Sequence, residues 1–178
     1  AIRPTKLISV PRIYERFYAV SRGKLEGAPA WRRRLFELAV SVGYARFEHA
    51  QGRARYRLAF LLWPLLHQLV AAPVLARFGG RLTAAFSGGA ALPADISRVF
   101  IGLGLPLVQG YGLTEASPVV CANTIDDNLP ASVGRAIPGV ELAIGEHGAL
   151  LIRGSNVMLG YWRDEAATRA IIDGQGWL

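Results

Sequence analysis

Two short apolar segments, each followed by glycines, stand out in the pattern of hydrophobic and polar positions. Residues 82–86 lead into Ser87-Gly88-Gly89-Ala90, and residues 106–109 lead into Gly110-Tyr111-Gly112. Short apolar runs that are bounded by turn signals are typical of buried strands. We therefore predict two strands, each of which ends in a glycine-rich turn.

The segment between these two strands carries the signals of a helix. Pro93 suits the first helical turn, Asp95 places a negative charge near the helix N-terminus, and we expect the helix to run through Phe100. Strand–helix–strand units with parallel strands are almost always right-handed. Because ligands bind open α/β sheets at the carboxyl ends of the strands, we expect both glycine turns to border one ligand pocket.

Helical spacing and basic residues characterise the chain before this unit. We predict a buried strand at residues 6–10 and, beginning at Pro11, a helix through Ser21. Residues 28–57 alternate basic and apolar positions at helical spacing. That pattern is typical of an amphipathic helix, which lies either on the protein surface or at a membrane interface.

Residues 58–76 are the most apolar stretch of the chain. Pro64 and Pro73 interrupt it, and the polar pair His67-Gln68 lies in its middle. Polar groups are costly in hydrocarbon, so we predict two short helices, buried or interfacial, instead of a membrane span. His67 is interpreted as an ordinary helix residue because no metal-ligating partner has a suitable spacing.

The pattern changes after Ser117 to short segments with strand character. The strand predictions are residues 119–122 and a hairpin of 140–144 with 149–152, joined by a four-residue turn. We expect residues 156–162 to be extended and Asp164 to cap a short helix.

A subdomain boundary is predicted within the polar stretch of residues 123–130. It separates an α/β part, residues 1–124, from the start of a β-rich part, residues 125–178. The α/β part contains a helical insertion at about residues 22–78.

Charge and cysteine content narrow the functional classes. The 178 residues carry a formal net charge of +7, and residues 1–57 hold 13 of the 20 Lys and Arg against 4 of the 13 Asp and Glu. This basic excess lies away from the glycine turns and suits solvent, an acidic lipid surface or a polyphosphate. We expect no nucleic-acid binding, because no recognition motif accompanies it. The single Cys121 excludes an intrachain disulfide and fits a reducing compartment.

Chemistry-bearing side chains cluster at the second glycine turn. Tyr111 offers a ring face, Thr114 a hydroxyl and Glu115 a carboxylate, beside glycines whose backbone a flat or charged ligand can approach closely. Magnesium prefers carboxylate and phosphate oxygens. Two interpretations stay open on these residues alone, namely a nucleotide site with magnesium, or structural turns in which Thr-Glu caps a helix.

Four strings in a fixed order make the first interpretation more specific, since together they resemble the adenylate-forming superfamily of acyl-CoA synthetases, luciferases and peptide-synthetase adenylation domains. These strings are Ser87 to Pro93, Gly110 to Glu115, Gly134-Arg135 before Pro138-Gly139, and Gly148 to Gly154 with Val157 to Trp162. Val10 to Glu15, with the long helical segment before Phe86, is most similar to the long-chain fatty acyl-CoA synthetases. The resemblance implies an α/β fold from the large N-terminal domain of such an enzyme, with a parallel βαβ unit, a helical insertion and an antiparallel β subdomain.

The resemblance also implies an activity and the residues that carry it. A fatty acid and ATP would form an acyl-adenylate, from which the thiol of CoA would displace AMP. Thr114 and Glu115 would be catalytic, with Glu115 holding Mg²⁺. The residues with implied nucleotide contacts are Gly88, Gly89, Ala90, Gln109, Gly110, Tyr111, Gly112 and Thr114. The residues with an implied place at the acyl pocket are Tyr14, Gly112 and Leu113; Tyr14 and the aromatic residues near it also suit core packing.

The resemblance further implies that a phosphate-binding loop, a ribose-binding Asp and a catalytic Lys lie outside these residues. We therefore expect an internal segment of a synthetase that is inactive alone. The expected partners are a fatty acid, ATP and CoA, and the expected location is cytoplasmic. The sequence is compatible with peripheral contact at the inner face of an acidic membrane and with a homodimer. Two alternatives stay open: a ligase for an aryl or medium-chain acid, and a non-catalytic lipid- or membrane-surface module.

Overall fold

The main sheet follows the order of the chain from one edge to the other. The computed structural model describes residues 3–178, and it contains a five-stranded sheet and a separate two-stranded hairpin. The strands of the sheet are β1 Lys6–Ser9, β2 Ala84–Ser87, β3 Leu107–Gly112, β4 Val119–Ala122 and β5 Arg135–Ala136. The hairpin strands are β6 Val140–Ile144 and β7 Leu150–Gly154. The first three strands are parallel, and β4 and β5 continue the sheet in antiparallel pairing.

Five helices accompany these strands within residues 3–178. They are α1 Pro11–Glu26, α2 Ala30–Ala50, α3 Leu58–Phe78, α4 Ala94–Gly102 and α5 Glu165–Ile171. Pro11 begins α1, and the Asp164 side chain caps α5 by accepting a 2.9 Å hydrogen bond from the backbone N–H of Ala167, both as predicted. The predicted α/β class with a parallel βαβ unit is confirmed, because β2, α4 and β3 follow one another and Ala85 pairs with Leu107.

A hydrophobic core lies between the sheet and helices α1 and α4. Tyr14 is fully buried there, its ring lies 5.5 Å from that of Phe100, and its hydroxyl lies 2.6 Å from Ser9 Oγ. Burial raises the pKa of Tyr14 above its ordinary value. Tyr14 therefore packs the core, and its implied place at an acyl pocket stays a prediction.

Helix α2 packs closely against α4 on one side and is exposed on the other. A Cβ on Gly102 would lie 2.5 Å from the carbonyl oxygen of Val40, so only glycine permits this approach of the two backbones. Two apolar residues of α2, Trp31 and Leu38, nevertheless remain 60% and 43% exposed. The helix also ends at Ala50, earlier than expected.

Residues 58–78 form one continuous helix, so the prediction of two short helices was wrong. The helix accommodates both prolines by changing its hydrogen-bond pattern. It is built from a 3₁₀ turn, an α turn, a π turn, an α turn and a final 3₁₀ turn: Leu58–Leu62, Trp63–Leu66, His67–Ala71, Ala72–Leu75 and Ala76–Phe78. By length and composition α3 is able to cross a membrane, and only 17% of its most apolar window is buried.

Three further expectations need correction. Gly110 to Gly112 belong to β3 instead of forming a turn, because Gly110 and Tyr111 pair with Ala122 and Cys121 of β4. Strand β1 was expected to be buried, yet Ile8 is 87% exposed, because alternate residues of a strand face opposite sides of the sheet and the core lies on the side of Leu7 and Ala85. Residues 156–162 form turns with one isolated bridge and no strand. The division into parts 1–124 and 125–178 stays a prediction.

Candidate functional site

The glycine turn after β2 lies beside the carboxyl-terminal half of β3. Ser87, the last residue of β2, is in register with Gln109, and the backbone N–H of Gly88 donates a 3.0 Å hydrogen bond to the carbonyl of Ser9. Gly89 has a φ of 81°, and Ala90 is exposed. The predicted meeting of these segments at one sheet edge is confirmed.

The side chain of Gln109 connects two neighbouring segments to this sheet edge by hydrogen bonds. Its Oε1 accepts a 3.4 Å hydrogen bond from the backbone N–H of Leu92, and its Nε2 donates a 2.6 Å hydrogen bond to the carbonyl of Pro130. Both ends of the amide are therefore used inside the fold, and nucleotide contact by Gln109 stays a prediction. Ser87 Oγ is buried and has no hydrogen-bond partner among residues 3–178.

Tyr111 lies between two crowded glycines at the end of β3. Gly110 is buried, and a Cβ there would lie 2.6 Å from Phe86 Cζ; a Cβ on Gly112 would collide with the carbonyl of Pro118. The Tyr111 side chain is 39% exposed. The strand end thus presents an accessible aromatic ring over a close-packed backbone, an arrangement that suits stacking against a flat ligand.

Thr114 and Glu115 occupy a 3₁₀ turn, Thr114–Ala116, directly after β3. No side-chain capping hydrogen bond closes this turn, so the helix-cap interpretation does not hold. Thr114 is exposed, and Ala116 anchors the turn in a buried cluster with Val120 and Ile152, against which Leu113 packs. The turn therefore has a rigid base and outward-facing polar groups.

A segment from the far end of the chain holds this turn in place. Tyr161 Oη donates a 2.8 Å hydrogen bond to Glu115 Oε1, and the backbone N–H of Met158 donates at 2.8 Å to the carbonyl of Glu115. Asn156 Nδ2 donates to the carbonyls of Ala116 and Val119, both at 3.1 Å. Chiefly because of the hydrogen bond from Tyr161, the pKa of Glu115 is lowered and that of Tyr161 is raised.

These contacts were missed in the sequence, although Tyr161 lies in one of the strings that carried the resemblance. The expectation of an extended segment gave no reason to connect Tyr161 with Glu115, which is 46 residues earlier. A tyrosine hydroxyl that donates to a carboxylate favours the ionised carboxylate.

The donor set of the turn fits a magnesium ion with phosphate ligands. Glu115 supplies an ionised carboxylate and Thr114 an exposed hydroxyl, both hard oxygen donors. Residues 3–178 contain no group of three His, Cys, Asp or Glu side chains able to hold a metal ion. One carboxylate with substrate phosphates is the usual protein environment of Mg²⁺, whereas a metal held by protein ligands alone does not fit.

Comparison with known proteins places these features in a family. The family model "AMP-binding enzyme" matches residues 1–162. The long-chain-fatty-acid–CoA ligase FadD15 of Mycobacterium bovis is 35% identical over 173 residues, which cover 97% of this chain and 28% of that protein. The chain therefore spans little more than a quarter of the length of this relative.

Two solved structures have the same fold. Apo MatB from Rhodopseudomonas palustris has a TM-score of 0.60 at 24% identity, covering 99% of this chain and 27% of that chain, which shows the fold alone. A benzoate CoA ligase from Burkholderia xenovorans has a TM-score of 0.52 at 27% identity over 65% of this chain and 26% of that chain. These likenesses confirm the predicted fold.

Proposed function

This chain belongs to the AMP-binding enzyme family, and we propose that the intact protein is an ATP-dependent long-chain fatty acid–CoA ligase. One observation carries the proposal. The exposed Thr114 and the ionised Glu115 lie on one turn, directly beyond the strand end that presents Tyr111. A ring face, a hydroxyl and a carboxylate in that order suit the base, the α-phosphate and the charge of a bound nucleotide.

In the proposed first step, a carboxylate oxygen of the fatty acid attacks the α-phosphorus of ATP, and the bond to pyrophosphate breaks. In the second step, the thiol sulfur of CoA attacks the acyl carbon, loses its proton, and AMP leaves. Gly88, Gly89 and Ala90 would face the adenine from one side and Tyr111 from the other. Thr114 would donate its hydroxyl hydrogen to the α-phosphate region, where negative charge develops.

Magnesium would supply charge neutralisation at the phosphates when it is bound. Glu115 would hold it, and the hydrogen bond from Tyr161 would keep that carboxylate ionised and fixed in direction. This arrangement makes Glu115 and Tyr161 one functional unit.

The relatives favour a long-chain acid over the alternatives. The long-chain-fatty-acid–CoA ligase is more similar in sequence and matches more of the chain than the benzoate CoA ligase. Membership in an enzyme family favours catalysis over a non-catalytic lipid-binding module. Gly112 and Leu113 are proposed to border the acyl group, and so is Tyr14. The cytoplasmic location and the homodimer stay predictions.

Site variants of the intact protein test the ligase activity. Thr114→Ala and Glu115→Gln are expected to slow acyl-adenylate formation from palmitate and ATP by on the order of 10²-fold, because each removes a group that stabilises developing charge. Glu146→Gln, on the exposed turn of the hairpin, is the matched control and should retain the full rate. Adenylate formation at the unchanged rate in both site variants would refute the assignment.

Substrate choice needs a separate assay. The kcat/KM values for palmitate, octanoate and benzoate are compared in the unmodified intact protein with CoA as acceptor. Palmitate is expected to have the highest value. A higher value for benzoate would establish the aryl alternative while leaving the adenylate-forming chemistry in place.

A further inference from the structure

Helix α3 exposes an unusually apolar side, which we call the leucine face. Five leucines at intervals of one, three or four residues share this side and are 48–80% exposed: Leu58, Leu61, Leu62, Leu65 and Leu69. Positions with this spacing lie along one side of a helix. A soluble surface rarely carries so many neighbouring exposed leucines without a binding role.

The other side of α3 is already used by the fold. Phe60 and Leu66 are buried against Ala39 and Val42 of α2, and Trp63 packs on the same cluster. Because residues 60–70 of α3 pack on α2, the helix presents the leucine face outward while remaining part of the folded unit. This geometry suits a helix that lies in a membrane interface and does not suit one that crosses the bilayer.

Cations flank the leucine face, and acids are absent from this part of the sequence. Between Glu48 and Asp95 the sequence contains five arginines and no Asp or Glu. Arg55 and Arg57 precede the helix, are exposed, and form no ion pair within the part of the chain that the structure describes. A protein surface covering this face would have to pair or bury these charges, whereas anionic headgroups complement them directly.

A groove beside the leucine face repeats the combination of apolar and basic groups. It has a volume of about 580 Å³ and lies between α1, α2 and α3. Its lining includes Leu69 of the leucine face, the 60% exposed Trp31, and the cations Lys24, Arg32 and Arg77. An interfacial aromatic beside cations matches the headgroup region of a bilayer, where amphipathic rings and basic side chains are favoured.

We propose that the leucine face and this groove dock the protein on the surface of a bilayer that contains anionic phospholipid. The leucines enter the boundary between headgroups and acyl chains, and the flanking arginines contact lipid phosphates. The proposal depends on the exposure of these residues and is independent of the ligase activity. Docking would place a fatty-acid-consuming enzyme at a reservoir of its apolar substrate.

Co-sedimentation of the intact protein with vesicles tests the proposal. Vesicles of phosphatidylcholine with phosphatidylglycerol are compared with vesicles of phosphatidylcholine alone. The unmodified protein is expected to bind the anionic vesicles, and the double variant Leu61→Glu/Leu65→Glu to bind at least about tenfold more weakly, because each buried leucine contributes substantially to the interfacial affinity. Ile144→Glu, at a 73% exposed apolar position on β6, is the matched control and should bind normally.

The charge component is tested by Arg55→Gln/Arg57→Gln. We expect about fivefold weaker binding per arginine to the anionic vesicles, because each basic residue near such a surface contributes roughly 1 kcal/mol, and little change with phosphatidylcholine alone. Raised salt should reproduce this loss in the unmodified protein.

Two results would overturn the proposal. In the first, the intact protein does not bind anionic vesicles, and the double variant Leu61→Glu/Leu65→Glu has a lower melting temperature than the unmodified protein. The leucine face would then be covered by the protein itself. The other is equal vesicle binding by the unmodified protein and the double variant.

A fluorophore on the Leu65→Cys variant gives a readout that does not depend on the folding of the glutamate variant. Quenching by brominated lipid supports docking, and its absence on bound vesicles contradicts it.

Discussion

The hydroxyl of Tyr161 lies 2.8 Å from Glu115 Oε1, and this hydrogen bond joins the segment after the hairpin to the turn after β3. The backbone N–H of Met158 reinforces the connection by donating to the carbonyl of Glu115. The carboxylate proposed to hold magnesium is thus oriented by residues from a different part of the chain.

Replacing Tyr161 with Phe should shift the pH dependence of the proposed reaction. The hydrogen bond lowers the pKa of Glu115, so its loss raises that pKa, and the carboxylate becomes protonated at a higher pH. The acidic limb of adenylate formation should therefore move to higher pH, and half-maximal rate should need several-fold more magnesium. Both are measured on the intact protein, with Tyr56→Phe as control. An unchanged acidic limb and magnesium requirement would show that the contact is only structural.

Replacing Gly112 with Ala should destabilise the junction of β3 and β4. An added Cβ would collide with the carbonyl of Pro118, a backbone atom that has no freedom to move aside. We expect a loss of about 1–3 kcal/mol in the free energy of unfolding, the usual cost of overpacking, measured by urea denaturation. Gly23→Ala, inside α1 with open space around it, should be neutral or stabilising. Equal stability of both variants would contradict the close approach.

Replacing Asn123 with Ala should loosen the loop that covers β3. Asn123 is buried, its Nδ2 donates to the carbonyls of Gln109 and Ser132, and its Oδ1 accepts from the backbone N–H of Leu129. The variant leaves these backbone groups unpaired, at a cost of about 1–3 kcal/mol. Urea denaturation measures the loss, and Gln68→Ala, at an exposed position on α3, is the control. A stability equal to that of the control would mean that water satisfies the loop.

The ion pair of Glu48 and Arg53 predicts a pH-dependent contribution to stability. Hydrogen bonds from Arg53 lower the pKa of Glu48, so the contribution is fully present above the unfolded pKa and is lost as the pH falls through the lower folded pKa. Because both side chains are about a quarter to a third exposed, we expect at most about 1 kcal/mol. Glu48→Gln should remove this component from urea denaturation measured across acidic pH. Parallel curves for the two proteins would rule the contribution out.

The sequence predicted the βαβ unit well because its signals are local. Pro93 marked the start of α4, and the apolar runs marked β2 and β3. The end of β3 was misplaced, since Gly110 and Gly112 resemble turn residues in isolation. Glycine is needed at these two positions because a Cβ would collide with Phe86 or Pro118. Only the pairing of the strands brings those residues close.

The sequence selected Thr114 and Glu115 as candidate site residues, and their roles stay a prediction. The hydrogen bond from Tyr161 was not predicted, because it depends on a contact across the fold that no local pattern encodes. Helix α3 was misjudged for a related reason. Proline signals predict an interruption, but packing on α2 keeps the helix continuous.

The mixed winding of α3 determines where its leucines point. A 3₁₀ turn rotates the chain further per residue than an α turn, and a π turn rotates it less. In the π segment the N–H of Ala72 donates to the carbonyl of His67, so the middle of the helix is underwound between overwound ends. Leu58 lies in the overwound first turn, whereas Leu69 lies in the underwound π segment, so the angular spacing of the leucines along this face is uneven. A variant that made the winding regular would therefore change the directions of Leu58 and Leu69 relative to each other.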